Sequence, residues 1–161
     1  MIHVALYEPE IPPNTGNIAR LCAGADVPLH IVGKPVFSLD DKHVRRAGLD
    51  YWPYVKLAQH ESLEAFQEAL GPESRIVCLT TKATTPYTNW EFRPGDCIML
   101  GPESRGLPAE ILAQFPCLKI PIFTPYVRSL NLGNSAAIVL YEAIRQLGSR
   151  AAGCGPELPP A

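Results

Sequence analysis

A polar loop that leads directly into an apolar helical pattern is the stretch of this sequence best suited to bind a ligand. Residues 128–135 are RSLNLGNS, and the run AAIVLYE follows at once. Asn and Ser side chains at such a point accept hydrogen bonds from the free N–H groups of a helix start. Ligands bind at the same kind of position. The residues of this loop alone leave both interpretations open.

Two other polar loops follow predicted strands. Residues 14–20, NTGNIAR, combine a Gly that permits close backbone approach with Arg20, whose guanidinium either contacts a phosphate or lies on the surface. In residues 101–108, GPESRGLP, two glycines flank Glu103, and an ordinary turn is the alternative interpretation. Neither loop has the glycine pattern of a dinucleotide fold or a P-loop, so the sequence does not support NAD or ATP binding.

Alternating strands and helices must position these loops. Predicted strands cover residues 2–7, 29–32, 54–57, 75–80, 97–100 and 118–122. Predicted helices cover about 15–25, 40–47, 61–70, 108–115 and 134–147, with Asn14 expected to cap the first because the prolines before it form a rigid loop. The strands are almost continuously apolar, which predicts an α/β fold with a parallel sheet and helices on both faces. Ligands of such sheets bind beyond the carboxyl ends of the strands.

The bulk composition is that of a globular protein with one core. Among 161 residues, 47% are hydrophobic and 19% charged, so we expect a single domain over residues 1–150 and a disordered, Pro- and Gly-rich tail over 151–161. A net charge of −2 gives no global attraction to nucleic acid, so a polyanion would need a local patch. The five cysteines include no C-x-x-C pair, which predicts reduced thiols, no zinc site and a cytoplasmic protein. We expect no signal peptide and no membrane span.

One local basic cluster could supply such a patch. Lys42, Arg45 and Arg46 precede Tyr51 and Trp52. They are either a solvated helix face or phosphate contacts with aromatic rings available for base stacking. Among the scattered histidines, those in predicted strands, His3 and His30, are expected to be packed and not catalytic.

Taken together, these segments resemble the SPOUT class of RNA methyltransferases. Within that class they are most similar to the small tRNA 2′-O-methyltransferases that act on the wobble nucleotide, the first of the anticodon. The matching segments are residues 7–18 (YEPEIPPNTGNI), 101–108 (GPESRGLP), 120–122 with 128–132 (IPI and RSLNL), and 40–42 with 45–51 (DDK and RRAGLDY). The resemblance extends over nearly the whole chain.

The resemblance implies a deep C-terminal trefoil knot, bound S-adenosylmethionine and a homodimer with composite sites. It also implies a tRNA anticodon stem-loop as the substrate. Cofactor contacts are implied for Leu79, Gly101, Ile120, Ser129 and Leu130. RNA contacts are implied for Lys42, Arg45, Arg46 and Arg128.

The same resemblance implies an active site formed by Asn14, Arg20, Glu103, Ser129 and Asn131. The family proposal makes Arg20 the general base, but a guanidinium stays protonated. Orientation of a phosphate and the hydroxyl by Arg20 is physically easier, and Asn134 with Ser135 is then left as the helix cap. The alternatives are 2′-O-methylation of another tRNA or rRNA ribose, and a non-catalytic RNA-binding module with this fold.

Overall fold

A parallel sheet organises the computed structural model, which describes residues 1–40, 42–45 and 50–148. Within these residues the sheet has seven strands in the order β3-β2-β1-β6-β4-β7-β5, and each pair of neighbours is parallel. The strands are β1 His3–Tyr7, β2 Leu29–Val32, β3 Leu57–His60, β4 Ile76–Leu79, β5 Thr85–Pro86, β6 Cys97–Leu100 and β7 Cys117–Lys119. The predicted tail and domain end beyond residue 148 lie outside the described residues.

Helices cover both faces of the sheet, as the sequence predicts. They are α1 Pro12–Ala25, α2 Lys42–Arg45, α3 Leu63–Leu70, α4 Ala109–Leu112 and α5 Leu132–Leu147, with short 3-10 turns at Trp52–Tyr54 and Tyr87–Asn89. One buried cluster includes the apolar residues of α1 and α5, and a second includes those of α3 and α4. No helix within the described residues is long and apolar enough to cross a membrane.

Helix α1 begins earlier than predicted. The expectation that Asn14 caps it is wrong, because Ile11 is the N-cap and the prolines occupy the first two helical positions. The N–H groups of those positions have no partner inside a helix, so Pro12 and Pro13 lose nothing there. Asn14 is therefore held inside the first turn of α1, with its side chain free to make tertiary contacts.

Two other strand predictions need correction. The strand predicted over 54–57 is misplaced: Tyr54 ends a 3-10 turn, residues 55 and 56 lead out of it, and β3 covers Leu57–His60. The polar residues of β3 concealed it, and they are tolerated because β3 is an edge strand of the sheet. Strand β7 ends at Lys119 and not at residue 122, so Ile120 and Ile122 belong to the following loop.

A buried carboxylate ties the central strands together. Asp96 is 1% exposed and accepts two hydrogen bonds from Arg75, at 2.7 and 2.6 Å. The Trp90 indole N–H and the Arg93 backbone N–H also donate to it, at 3.3 and 3.0 Å. A buried charge needs this degree of pairing. The network fixes the starts of β4 and β6, and the opposite end of β6 leads into the polar loop at residues 101–108.

The four described cysteines, Cys22, Cys78, Cys97 and Cys117, are free thiols, which confirms the prediction for them. Burial raises the pKa of Cys22 and of Cys78 to about 12, so both stay protonated. Cys154 lies outside the described residues.

Three histidines form a hydrogen-bonded row across β1, β2 and β3. His3 Nδ1 lies 3.0 Å from His30 Nε2, and His30 Nδ1 lies 2.9 Å from His60 Nε2. The Phe66 ring packs against His30 and His60, with ring centroids 5.1 and 5.2 Å away. The prediction that His3 and His30 are packed is confirmed. Burial is the main reason that the pKa of His30 falls to about 4 and that the pKa values of His3 and His60 are also lowered.

This row predicts an acid-sensitive stability. Between pH 6.5 and about 4, His30 is protonated in the unfolded chain but stays neutral in the folded protein. The free energy of unfolding therefore falls as the pH falls through this window. We expect the free energy of unfolding to fall by about 2 kcal/mol, somewhat less than the full pKa difference implies. Urea unfolding between pH 4 and 7 measures it. His30→Gln keeps hydrogen-bonding groups without a titrating ring and should flatten the slope; an equally steep slope in that variant would assign the effect elsewhere.

Candidate functional site

A cavity of about 520 Å³ lies beyond the carboxyl ends of β4, β6 and β7. Its position is the one that a parallel sheet favours for ligand binding. The predicted residues that line it are Asn14, Leu79, Gly101, Glu103, Ile120, Arg128, Ser129, Leu130 and Asn131. Residues from segments far apart in the sequence therefore share one wall.

The loop after β6 needs glycine to form its part of this wall. A Cβ atom on Gly101 would lie 2.3 Å from the Leu107 backbone N and 2.6 Å from the Gly106 carbonyl C. Gly106 has a φ of +69°, in the left-handed region that side chains disfavour. The loop thus folds back on itself and presents backbone, without a side chain at Gly101, to the cavity.

Glu103 connects this loop to the start of α1. Its carboxylate accepts from the backbone N–H of Glu10 at 2.8 Å and of Ile11 at 3.2 Å. The Asn14 side-chain amide donates to the same carboxylate at 3.3 Å. A negative charge is favourable at a helix N-terminus, where unpaired N–H groups collect. Glu103 therefore positions the first turn of α1 and the Asn14 side chain.

Asn131 extends the connection to the polar loop at residues 128–135. Its side-chain Nδ2 donates to Asn14 Oδ1 at 3.1 Å, and its Oδ1 accepts from the N–H groups of Gly133 and Asn134 at 2.9 and 3.2 Å. Asn131 is the N-cap of α5, so the expectation that Asn134 and Ser135 form the cap is wrong. The earlier helix start occurs because the Asn131 amide can cap α5 with its oxygen and bind Asn14 with its nitrogen.

A second set of contacts joins the segment after β1 to the loop after β6, and the sequence analysis did not predict it. Ser104 donates to the Glu10 carboxylate from its backbone N–H at 2.9 Å and from its hydroxyl at 3.0 Å. These bonds lower the pKa of Glu10. Arg105 donates to Glu8 at 2.6 Å. The available signal was opposite charge in two loops expected at the same sheet edge, but it does not identify the pairs. Lys82, which also lines the cavity, was missed as well.

Arg20 lies apart from the cavity of its own chain. It is exposed on α1, and its guanidinium carbon is 6.0 Å from the centre of the Tyr51 ring. The Tyr51 hydroxyl donates to the Gly16 carbonyl at 3.2 Å. Of the predicted site residues, Arg20 is thus not brought to the cavity that contains Asn14, Glu103, Ser129 and Asn131.

Helix α2, which begins at Lys42 of the predicted basic cluster, packs against α1 at Gly16. A Cβ on Gly16 would lie 2.1 Å from the Val44 carbonyl O, so only glycine permits this packing. Lys42 is exposed. Arg45 belongs to α2 but its side chain is not described, and Arg46 lies outside the described residues. In the part of the chain that is described, no group of three or more His, Cys, Asp or Glu side chains could hold a metal ion.

A cavity at the carboxyl edge of a parallel sheet, bounded by polar loops that bind one another, is typical of α/β proteins that bind ligands beyond the ends of their strands. Within that class the chain belongs to the SpoU rRNA methylase family, whose sequence profile matches residues 1–141. The family resemblance inferred from the loop motifs is therefore confirmed.

Two relatives are similar over almost their whole length, and a third is similar over about half of its length. The chain is 49% identical over 151 residues to the tRNA (cytidine(34)-2′-O)-methyltransferase of Escherichia coli K12, covering 92% of this chain and 95% of that protein. A structure solved in work on the 2-OH methylation of C/U34 on tRNA superposes with a TM-score of 0.88 at 48% identity, covering 91% and 96% of the two chains. An AdoMet-bound rRNA methyltransferase from Sinorhizobium meliloti gives 0.78 at 26% identity, covering 91% of this chain and 56% of that one.

Proposed function

We propose that the protein transfers a methyl group from S-adenosylmethionine to the ribose 2′-OH of the wobble nucleotide of tRNA, cytidine-34 or a modified uridine-34. The observation that carries the proposal is the 49% identity, over 92% of the chain, to an enzyme named for this reaction. The site supports it, because the loops that carry the family motifs meet at one cavity.

The cavity fits the cofactor in size and in chemistry. A volume of about 520 Å³ lies within the range of roughly 300 to 1,000 Å³ typical of small-molecule sites. The missing side chain at Gly101 leaves backbone accessible for close contact. Leu79, Gly101, Ile120 and Leu130 would hold the cofactor largely through backbone groups, with Ser129 near the methyl donor. When bound, the cofactor supplies a methyl group activated by its sulfonium.

The chain's own residues then align the ribose hydroxyl with that methyl group. Arg20 would orient an RNA phosphate and the 2′-OH, while the phosphate or a water takes the proton, because the guanidinium is not a base at neutral pH. Asn14 and Glu103 are positioning residues, since each binds the other. Ser129 and Asn131 shape the wall beside the reacting atoms. Correct alignment alone accounts for a large part of such a rate enhancement.

We also propose a cytoplasmic homodimer that binds the tRNA anticodon stem-loop, with a trefoil knot formed by the segment that includes β7 and α5. Arg20 supports the composite site, because it lies outside the cavity of its own chain and would act at that of the partner. Helix α2, which carries Lys42 and Arg45, lies next to α1, and the basic cluster would contact the same RNA.

Mass mapping of tRNA from cells that lack the gene tests the reaction and its position. We expect loss of one 2′-O-methyl group at position 34, restored by the wild-type gene. Loss of a methyl group at another tRNA or rRNA ribose would support the alternative within the family. An unchanged methylation pattern would favour a non-catalytic RNA-binding module.

Lys42, Arg45 and Arg46 provide a test of the RNA surface. Replacing all three with alanine should weaken tRNA binding. It should also reduce the slope of log binding constant against log salt concentration by roughly 0.7 to 0.9 for each phosphate that is no longer neutralised. Fluorescence anisotropy with labelled tRNA at several salt concentrations measures both quantities. Replacing two exposed lysines elsewhere on the surface, Lys34 and Lys56, provides a control that should leave the salt slope unchanged. An unchanged salt slope in the triple variant would remove this cluster from the interface.

A further inference from the structure

The loop between β7 and α5 carries two aromatic side chains that are almost completely exposed. Phe123 is 95% and Tyr126 is 91% exposed, the highest values among the large hydrophobic residues that the structure describes. Single exposed apolar residues are common on proteins. Two almost fully exposed rings three positions apart, on a loop that borders a cavity, indicate a binding surface. Aromatic rings stabilise a complex strongly when a partner buries them.

This segment, residues 123–127, is attached to the cavity at both ends. Ile122 precedes it and Arg128 follows it, and both line the cavity. Within it the Tyr126 backbone N–H donates to the Thr124 hydroxyl at 3.3 Å, and Pro125 restricts the backbone between the two rings. The rings are therefore presented at the border of the site by a partly pre-ordered segment, which lowers the entropy cost of binding.

The surrounding charge identifies the partner. Neither Phe123 nor Tyr126 lines the cavity, so the rings are not part of its wall, while the exposed cations Arg128 and Lys82 do line it. Exposed aromatic rings next to cations are the combination that binds single-stranded nucleic acid, through base stacking and phosphate contacts. A nucleotide whose ribose enters the cavity must leave its stack, so its neighbouring bases need new stacking partners.

We infer that Phe123 and Tyr126 stack on the unpaired bases that flank the methylated nucleotide, with Arg128 contacting the adjoining phosphate. The inference rests on the proposed function, since it takes an anticodon loop as the substrate. It adds a contact to the bases on either side of the methylated nucleotide, at the border of the cavity itself.

Binding of a labelled anticodon stem-loop RNA, measured by fluorescence anisotropy without methyl transfer, tests this. Phe123→Ala and Tyr126→Ala should each weaken affinity about tenfold, within the range known for base–aromatic stacks, and leave the salt slope unchanged. Phe123→Tyr and Tyr126→Phe keep the rings and should bind as the wild type does. Arg128→Ala is the electrostatic control and should flatten the salt slope.

The RNA supplies the matching control. On a stem-loop whose bases next to position 34 are abasic, the alanine and wild-type proteins should bind equally, because no base remains to stack. Unchanged affinity on the intact RNA, or an equal reduction on both RNAs, would overturn the inference. So would dissociation of an oligomer by the alanine variants in light scattering, which would assign the rings to a subunit interface.

The outcome is separable from that of the proposed function. Calorimetric binding of S-adenosylmethionine should be the same in all the aromatic variants. If the wild type methylates position 34 but the alanine variants bind RNA normally, only the stacking inference fails. If the wild type leaves position 34 unmethylated, the proposed function fails, whatever the binding data show.

Discussion

Arg20→Ala is expected to reduce methyl transfer at least about a hundredfold, to the limit of detection, as removal of a preorganised charged donor does in other active sites. Binding of S-adenosylmethionine should remain, because Arg20 is exposed on α1 and does not line the cavity of its own chain. Methyl incorporation into tRNA and calorimetric cofactor binding measure the two effects. Transfer at the wild-type rate would show that Arg20 has no part in the reaction.

Arg20→Lys separates charge from geometry. Lysine keeps the positive charge but lacks the planar fork that binds a phosphate through two parallel hydrogen bonds. We expect a partial recovery relative to alanine if Arg20 orients a phosphate. A general base would give a different result, since a rate that follows deprotonation of the side chain should shift its pH profile in the lysine variant.

Mixed subunits test whether Arg20 acts across a dimer. Ser129→Trp places a bulky ring at the cavity, on an exposed loop where it should not disturb folding. Arg20→Ala and Ser129→Trp subunits are each inactive alone under the proposal. Refolded together in equal amounts, they should regain about a quarter of the wild-type activity, because half of the dimers are mixed and each has one complete site. No recovery from verified mixed dimers would place Arg20 and the cavity of one site in the same subunit.

The layers of the fold were predictable because local composition determines them. Strands such as β2 and β6, at Leu29–Val32 and Cys97–Leu100, are buried along their whole length and apolar throughout except for His30. Helix α3 ends at Leu70, as predicted, because the glycine that follows it accepts a φ of +83°. The position of the cavity followed from a property of parallel sheets in general.

Precise element boundaries and side-chain partners were not predictable in the same way. Several polar residues in each loop could cap a helix, and the choice of Asn131 over Asn134 depends on Asn14, which is 117 positions away in the sequence. The bond between Glu103 and Glu10 spans 93 positions. Such choices depend on tertiary distances that no local pattern contains. The placement of Arg20 outside its own cavity depends on the direction of α1 in the same way.

Glu103→Ala should therefore affect both the fold of the site and the reaction. It removes an acceptor from the backbone N–H groups of Glu10 and Ile11 and from the Asn14 amide. We expect a loss of about 2 kcal/mol in unfolding free energy, measured in urea, since hydrogen bonds to a charged acceptor are among the stronger ones. Methyl transfer should fall about a hundredfold, because a shift of about 1 Å in Asn14 and α1 is enough to misalign the reacting groups.

Glu103→Gln distinguishes the charge from the shape of this side chain. Glutamine keeps the length and one acceptor oxygen, so one of the bonds to the α1 start can persist, while the favourable charge at the helix N-terminus is lost. Its stability should lie between that of the wild type and that of the alanine variant. If Glu103 only positions α1 and Asn14, methyl transfer should recover in proportion to stability. If glutamine restores stability but not transfer, the carboxylate itself acts on the substrate, and Glu103 is a catalytic residue and not a positioning one.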